Sequence, residues 1–299
     1  MDFSLSRGVN SILVLGAGAS VDYGLPVWND LGSLIKEKLS KDQIGFFQYK
    51  KEILAWVDKV GERKEYSTID QCLERESVSN EYHANGSEIE NQIFLIIKDI
   101  FLEKYKEGNG GWIRKLNEKI LDNTSLVNKM AFINFNYDDV LERNLLNFEH
   151  LPQKHKLLNH RITLDRLTRI KIPALYPHGT LFSQEELASP YHVDRNFHTM
   201  KSGVGNFIDA VSCYESERHV VKADIYMSSL KLYLLGLGAG LRVNLGNISF
   251  DAPISEIHVT IKNPSMKEEV LGFLHEKYKL PTGQINVYGN CKELVEACF

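Results

Sequence analysis

Residues 12–26 read Ile12-Leu13-Val14-Leu15-Gly16-Ala17-Gly18-Ala19-Ser20-Val21-Asp22-Tyr23-Gly24-Leu25-Pro26. Ser11–Leu15 is an apolar run rich in β-branched residues, the pattern of a strand covered on both faces, and it ends directly on Gly16. Such a strand entering a tight glycine turn is the opening unit of a doubly wound α/β sheet. Gly16 and Gly18 permit close backbone approach there, and Ser20 can begin or flank the next helix, whose first amides suit phosphate oxygens. Val21 stands where the ordinary dinucleotide fingerprint carries its third glycine, so the stretch also fits a purely structural turn.

Beyond this unit the periodicity changes. From Asn29 to about Met130, LGSLIKEKL, FFQYKKEILAWVDKV and IENQIFLIIKDIFLEKYK place apolar residues three and four apart, which predicts helices; loops are expected at Glu62–Ser87 and at Gly108–Gly111. Strand character returns at Met130–Phe135, followed by Asn136-Tyr137-Asp138 and a helical DVLERNLLNF segment. Further strands are expected at Ala174–Tyr176, Lys231–Leu235, Ile257–Ile261 and Gln284–Val287, with MKEEVLGFLHEKY an amphipathic helix between the last two. Ser183–Val221 is polar and weakly periodic and reads as a lid or surface subdomain. The expected architecture is a Rossmann-like, doubly wound parallel sheet of class α/β. It forms a single domain over residues 1–299, with a large helical insertion at approximately 30–129.

Composition excludes little but is consistent. With 43% hydrophobic and 25% charged residues the chain can bury a core, and a formal net charge of -4 gives no general field for a polyanion, so no direct nucleic-acid partner is expected. The first apolar run is too short for a signal peptide or a membrane span, which points to a cytoplasmic protein with no membrane partner. Cys72, Cys213, Cys291 and Cys298 contain no C-x-x-C pair; neither a zinc ribbon nor a disulfide framework is expected, and the thiols read as reduced and mostly structural.

Polar or glycine residues follow each expected strand: FINFNYDD, LYPHG, LLGLGAG and HVTIKNP. Side chains at the carboxyl ends of several strands of an open sheet converge on one crevice. With G-A-G-A-S, the following G-L-P, N-Y-D, H-G and a late I-K-N, the chain resembles the sirtuin superfamily, especially its bacterial NAD-consuming branch, over most of the core. The resemblance implies NAD as substrate, with its phosphates at Gly16, Ala17, Gly18, Ala19 and Ser20 and with Pro26 from the G-L-P segment beside them. It implies that Asn136 and Asp138 orient the nicotinamide ribose, that His178 takes part in catalysis and that Asn263 contacts the adenosine ribose. Gly236, in LLGLGAG, reads as one edge of the same pocket or as a packing glycine.

The chemistry suits these residue types. Nicotinamide is a cationic leaving group, so cleavage develops oxocarbenium character and depends on holding the sugar and presenting water. Asn136 can fix ribose or water through its amide, Asp138 can act as an electrostatic partner, and His178 can accept a proton near its ordinary titration range. The same residues have structural readings: Asn136 and Asp138 can cap the following helix, and His178-Gly179 can be a turn after Pro177.

Departures from the deacetylating sirtuins are specific. The four cysteines cannot supply their paired zinc module, G-I-P-x-F-R is replaced by Gly24-Leu25-Pro26-Val27-Trp28-Asn29, and the turn near the acyl-lysine channel is replaced by LLGLGAG. The resemblance therefore implies an NAD glycohydrolase of bacterial antiphage defence, releasing nicotinamide and ADP-ribose with no metal. It implies regulation through homo-oligomerisation or a partner such as a HerA-like ATPase or an Argonaute-like module. A non-catalytic NAD or ADP-ribose sensor and an NAD-dependent ADP-ribosyl or acyl-lysine transferase are the alternatives. The preference between NAD and its phosphorylated form stays open, as does a linear or cyclic product.

Overall fold

The computed structural model describes residues 2–5, 7–42, 47–61, 86–106, 111–147, 167, 172–177, 181, 193–196, 219–223 and 229–299. Ten strands lie among them: β1 (Asp2–Ser4), β2 (Ser11–Leu15), β3 (Met130–Asn134), β4 (Ile172–Leu175), β5 (Val193–Asn196), β6 (His219–Lys222), β7 (Leu230–Leu235), β8 (Ile248–Phe250), β9 (Ile254–Thr260) and β10 (Ile285–Tyr288). Seven form one parallel sheet in the order β10-β9-β7-β2-β3-β4-β5. From β4 to β10 this is the Rossmann order, with β5 added beyond β4. The expected α/β class and doubly wound sheet are found.

Burial explains why the central strands carry no polar alternation. Ile12 to Leu15 of β2 and Met130 to Ile133 of β3 are all buried, as strands covered on both faces must be. Their alternate side chains feed two separate cores. Leu13, Leu15, Phe132, Tyr233 and Leu235 face one apolar layer; Ile12, Val14, Ile133, Leu232 and Leu234 face the other.

The first layer comes mainly from the connection between β2 and β3. After a 3-10 helix at Ala17–Tyr23, α1 (Trp28–Ser40), α2 (Lys50–Gly61) and α3 (Gly86–Lys104) pack on one another, and α4 (Trp112–Asp122) packs on α8 (Cys291–Cys298). The second layer holds α6 (Leu241–Gly246) and α7 (Lys267–Tyr278), together with a small parallel sheet of order β1-β6-β8. Strands of three or four residues leave no periodicity to read, which is why the sequence did not announce this second sheet. Most of Ser183–Val221 and of the expected loops at Glu62–Ser87 and Gly108–Gly111 lies outside the described residues. Among the described residues no helix is long and apolar enough to cross a membrane.

The helix after β3 is shorter than its sequence suggests. α5 spans only Val140–Asn144, and Leu146 takes a φ of 56°. The cause is Asn117 of α4, whose Oδ1 accepts from the Leu146 amide at 2.9 Å while its Nδ2 donates to the Asn144 carbonyl at 2.8 Å. This buried amide holds the turn that a continuing helix would have closed with its own backbone. Asn117→Ala strands the buried Leu146 amide and is expected to cost about 2 kcal/mol, measured as a lower urea midpoint with unchanged slope.

Candidate functional site

In this strand order β3 lies on one side of β2 and β7 on the other, so the crevice at the switch point opens at the carboxyl ends of β2 and β7. Two glycine-bearing turns meet there backbone to backbone. The Gly16 amide donates to the Leu235 carbonyl and the Gly18 amide to the Gly236 carbonyl, each at 2.9 Å. The Gly236 amide donates to Thr260 Oγ1 at 2.8 Å. A Cβ on Gly16 would lie 2.7 Å from Leu237 Cα, and one on Gly18 2.8 Å from the Gly236 carbonyl oxygen. The two glycines are thus required by the contact between the turns, and their amides are used inside the protein. Ala17, between them, is exposed.

Ser20 does not flank a helix as expected; it lies inside the short 3-10 helix, buried, because that helix begins immediately after Gly16. Its hydroxyl accepts from Asn136 Nδ2 at 3.1 Å and donates to the Asp138 carboxylate. Asp138 Oδ1 also accepts from the Val140 amide at 3.0 Å, the first of α5, although the N-cap position itself is Asp139; the Asn136 side chain reaches across to Ser20 instead. Asp138 is fully buried, and loss of water pushes its carboxyl up to about 7. The Ser20 and Val140 hydrogen bonds oppose that rise, and the neighbouring Asp139 and Glu142 charges add to it.

Asn134, at the end of β3, completes the cluster. Its Oδ1 accepts from the Asn136 amide at 3.0 Å, and its buried Nδ2 has no hydrogen-bond partner among the described residues. Behind Asp138, Asp139 pairs with Arg143 Nε at 2.5 Å, and Tyr176 at the end of β4 donates to Glu142 at 2.7 Å. The helical layer closes the front: Trp112 Nε1 donates to the Ala19 carbonyl at 2.8 Å, and the Ile113 amide donates to the Tyr23 hydroxyl at 3.1 Å. The space enclosed by Ser20, Trp112, Asn134, Asn136 and Asp138 has no room for a water molecule. A larger open groove of about 590 Å³ lies between α1 and α3, but it shares no lining residue with this cluster, and its Lys38 and Lys41 are paired with Glu103 and Glu37.

The structure thus brings Gly16–Ser20, Asn136, Asp138 and Gly236 to one edge. Pro26 is half-buried in the extended segment before α1. Asn263 lies exposed beyond β9 on the same edge, its Oδ1 accepting from the Ser265 amide at 3.1 Å and the Ser265 hydroxyl at 2.9 Å. His178 falls outside the described residues. Asn134, Trp112, Glu142 and Tyr176 went unremarked in the sequence. Asn134 alone left a signal there, a polar residue interrupting the apolar FINF run. In comparisons with known proteins, no family model matches the chain and no curated protein matches it.

Proposed function

We propose that the chain binds NAD in the crevice at the carboxyl ends of β2 and β7 and hydrolyses the bond between nicotinamide and ribose. One observation carries the reading: a buried Ser20–Asn136–Asp138 cluster at the switch point, with a carboxyl poised at about 7. Near neutral pH such a carboxyl is divided between acid and base, so it can take a proton from the attacking water or a ribose hydroxyl and return it. Asn136 holds Ser20 in register, and Asn134 offers an unused N–H pair to the same place. The likeness to the sirtuin superfamily implies a ribose-orienting role for Asn136 and Asp138 and makes His178 a proton carrier beside them. Withdrawal of Trp112 and the start of α4 from Ala19 would admit the ribose, so the resting protein is closed and awaits a signal. Homo-oligomerisation or a partner such as a HerA-like ATPase would supply it; that regulation, and the antiphage role, rest on the resemblance.

The closed cluster also favours a second reading, a sensor that takes NAD or ADP-ribose without turnover. Incubating the full chain with NAD, alone and with the protein encoded beside it, separates the two when nicotinamide and ADP-ribose are followed by chromatography. Both products are expected in molar excess over protein and are lost in Asn136→Ala and His178→Ala. Saturable NAD binding without nicotinamide release in every state selects the sensor, and no binding at all removes both.

A further inference from the structure

At the opposite, amino-terminal edge of the sheet a second ionisable cluster lies outside the crevice. Cys298, at the end of α8, has its Sγ 3.2 Å from His258 Nδ1. On the other side of the ring, His258 Nε2 lies 3.1 Å from Glu256 Oε1. The imidazole is held flat by stacking on Tyr233, with centroids 4.9 Å apart and an interplanar angle of 8°. Glu256 is itself fixed, accepting from Lys231 Nζ at 2.7 Å and Asn286 Nδ2 at 3.2 Å. With Nε2–H donated to Glu256, Nδ1 becomes an acceptor facing both the thiol and the Tyr288 hydroxyl, the latter at 3.1 Å. Thiol, base and carboxylate are thus arranged in the order that activates a nucleophile.

The thiol also opens onto space. A pocket of about 190 Å³ is lined by Ser11, Lys129, Lys231, Tyr233, Cys298 and Phe299. Its volume is below that of ordinary ligand sites and suits a small electrophile, and Lys129 favours an anionic one, Lys231 being already paired with Glu256. Exchange with a disulfide needs only in-line attack and a proton for the departing sulfur.

We propose that Cys298 is a nucleophilic thiol served by His258 and positioned through Glu256, which undergoes exchange with small anionic disulfides. The Cys298 proton passes to His258 Nδ1 as Sγ attacks the nearer sulfur of the disulfide. The old S–S bond breaks as the new one forms, and the released thiolate takes the proton back from His258, leaving a mixed disulfide on Cys298 and one free thiol. Burial raises the thiol and lowers the imidazole, so the resting pair is neutral and the base acts during attack. The groups facing this pair are Glu256 on β9, Tyr288 at the end of β10, and Lys231 and Tyr233 on β7.

The test is the rate of mixed-disulfide formation on the full chain with 3,3′-dithiodipropionate, a small anionic disulfide, read by peptide mass spectrometry. Cys291, buried with its thiol pushed up to about 12, serves as a silent internal thiol. Adduct is expected at Cys298, and its rate is expected to fall about 100-fold in His258→Asn, the lower end of general-base assistance. Because His258 is buried, Glu256→Gln is the second variant: it is expected to slow the reaction several-fold and move the acid limb of the pH–rate profile to lower pH, with thermal stability retained. Lys129→Ala is expected to slow reaction with 3,3′-dithiodipropionate but not with neutral bis(2-hydroxyethyl) disulfide. Equal rates in the wild type, His258→Asn and Glu256→Gln, or no adduct at Cys298, would overturn the proposal.

Discussion

Gly236→Ala is expected to destabilise the protein by about 4 kcal/mol, among the largest effects of a single substitution. Gly236 has a φ of +66°, where an L side chain carries a cost of about 1–2 kcal/mol. The larger part is steric. A Cβ there would lie 2.0 Å from the Ala19 amide nitrogen and 2.4 Å from the Gly18 carbonyl carbon. Both are backbone atoms of the opposing turn, so no side-chain rotation relieves the overlap; the turns must part, breaking the bond from the Gly18 amide to the Gly236 carbonyl. Gly238 is the control, since it has a φ of +50° but open space around its Cβ position. Gly238→Ala should cost only about 1–2 kcal/mol in the same denaturant titration. Equal losses in the two variants would mean that backbone conformation, and not the contact between turns, is what Gly236 provides.

Asp138→Asn should remove NAD hydrolysis while making the protein more stable at pH 8. The Asp138 carboxyl ordinarily titrates at 3.8 and is pushed up to about 7 by burial. The folded state therefore binds this proton more tightly than the unfolded chain, so the associated stability is fully present below about 4 and is lost as pH rises to about 7. Asparagine keeps an acceptor for the Val140 amide and cannot ionise, so the variant should lack that decline. Glu256, whose carboxyl is held below its usual range by Lys231, contributes in the opposite sense at acid pH and cancels in the difference between variant and wild type. Urea titrations from pH 4 to 8 read the difference directly. A variant whose stability runs parallel to the wild type would show that Asp138 stays charged. On the proposed chemistry, loss of a general base lowers kcat about 10²- to 10⁴-fold. A stabilised, inactive variant marks a residue kept for function at a cost in stability.

The sheet was readable because its central strands are short, wholly apolar and bounded by glycine or asparagine. The match at Ser11–Leu15 follows from Gly16, which both breaks the apolar run and ends the pairing with β7. The edges were blurrier: β4 begins at Ile172, ahead of the expected Ala174, because Pro173 tells against a strand interior; here it lies inside the pairing with β5, while the pairing with β3 begins only at Ala174. At the candidate site the sequence marked Asn136 and Asp138 as polar residues after a strand. It could not show that Asn136 reaches back 116 positions to Ser20, nor that Asp138 is sealed beneath Trp112, because both depend on where the helices between β2 and β3 fold back. The Cys298–His258–Glu256 arrangement was hidden for the same reason: it draws one residue from α8 and two from β9, with no local pattern to connect them.

The position of β2 also bears on the making of the protein. This strand is synthesised ahead of both of its neighbours: β3 does not follow until residue 130 and β7 until residue 230. At about 5–20 residues per second, a nascent chain would carry Ser11–Leu15 without its β7 neighbour for roughly 10–40 s. An apolar strand with an unpaired edge is the kind of segment that holdase chaperones capture and that aggregates when they are scarce. Slower growth at low temperature with chaperone co-expression, more than any change to the strand itself, should therefore govern how much folded protein a cell yields.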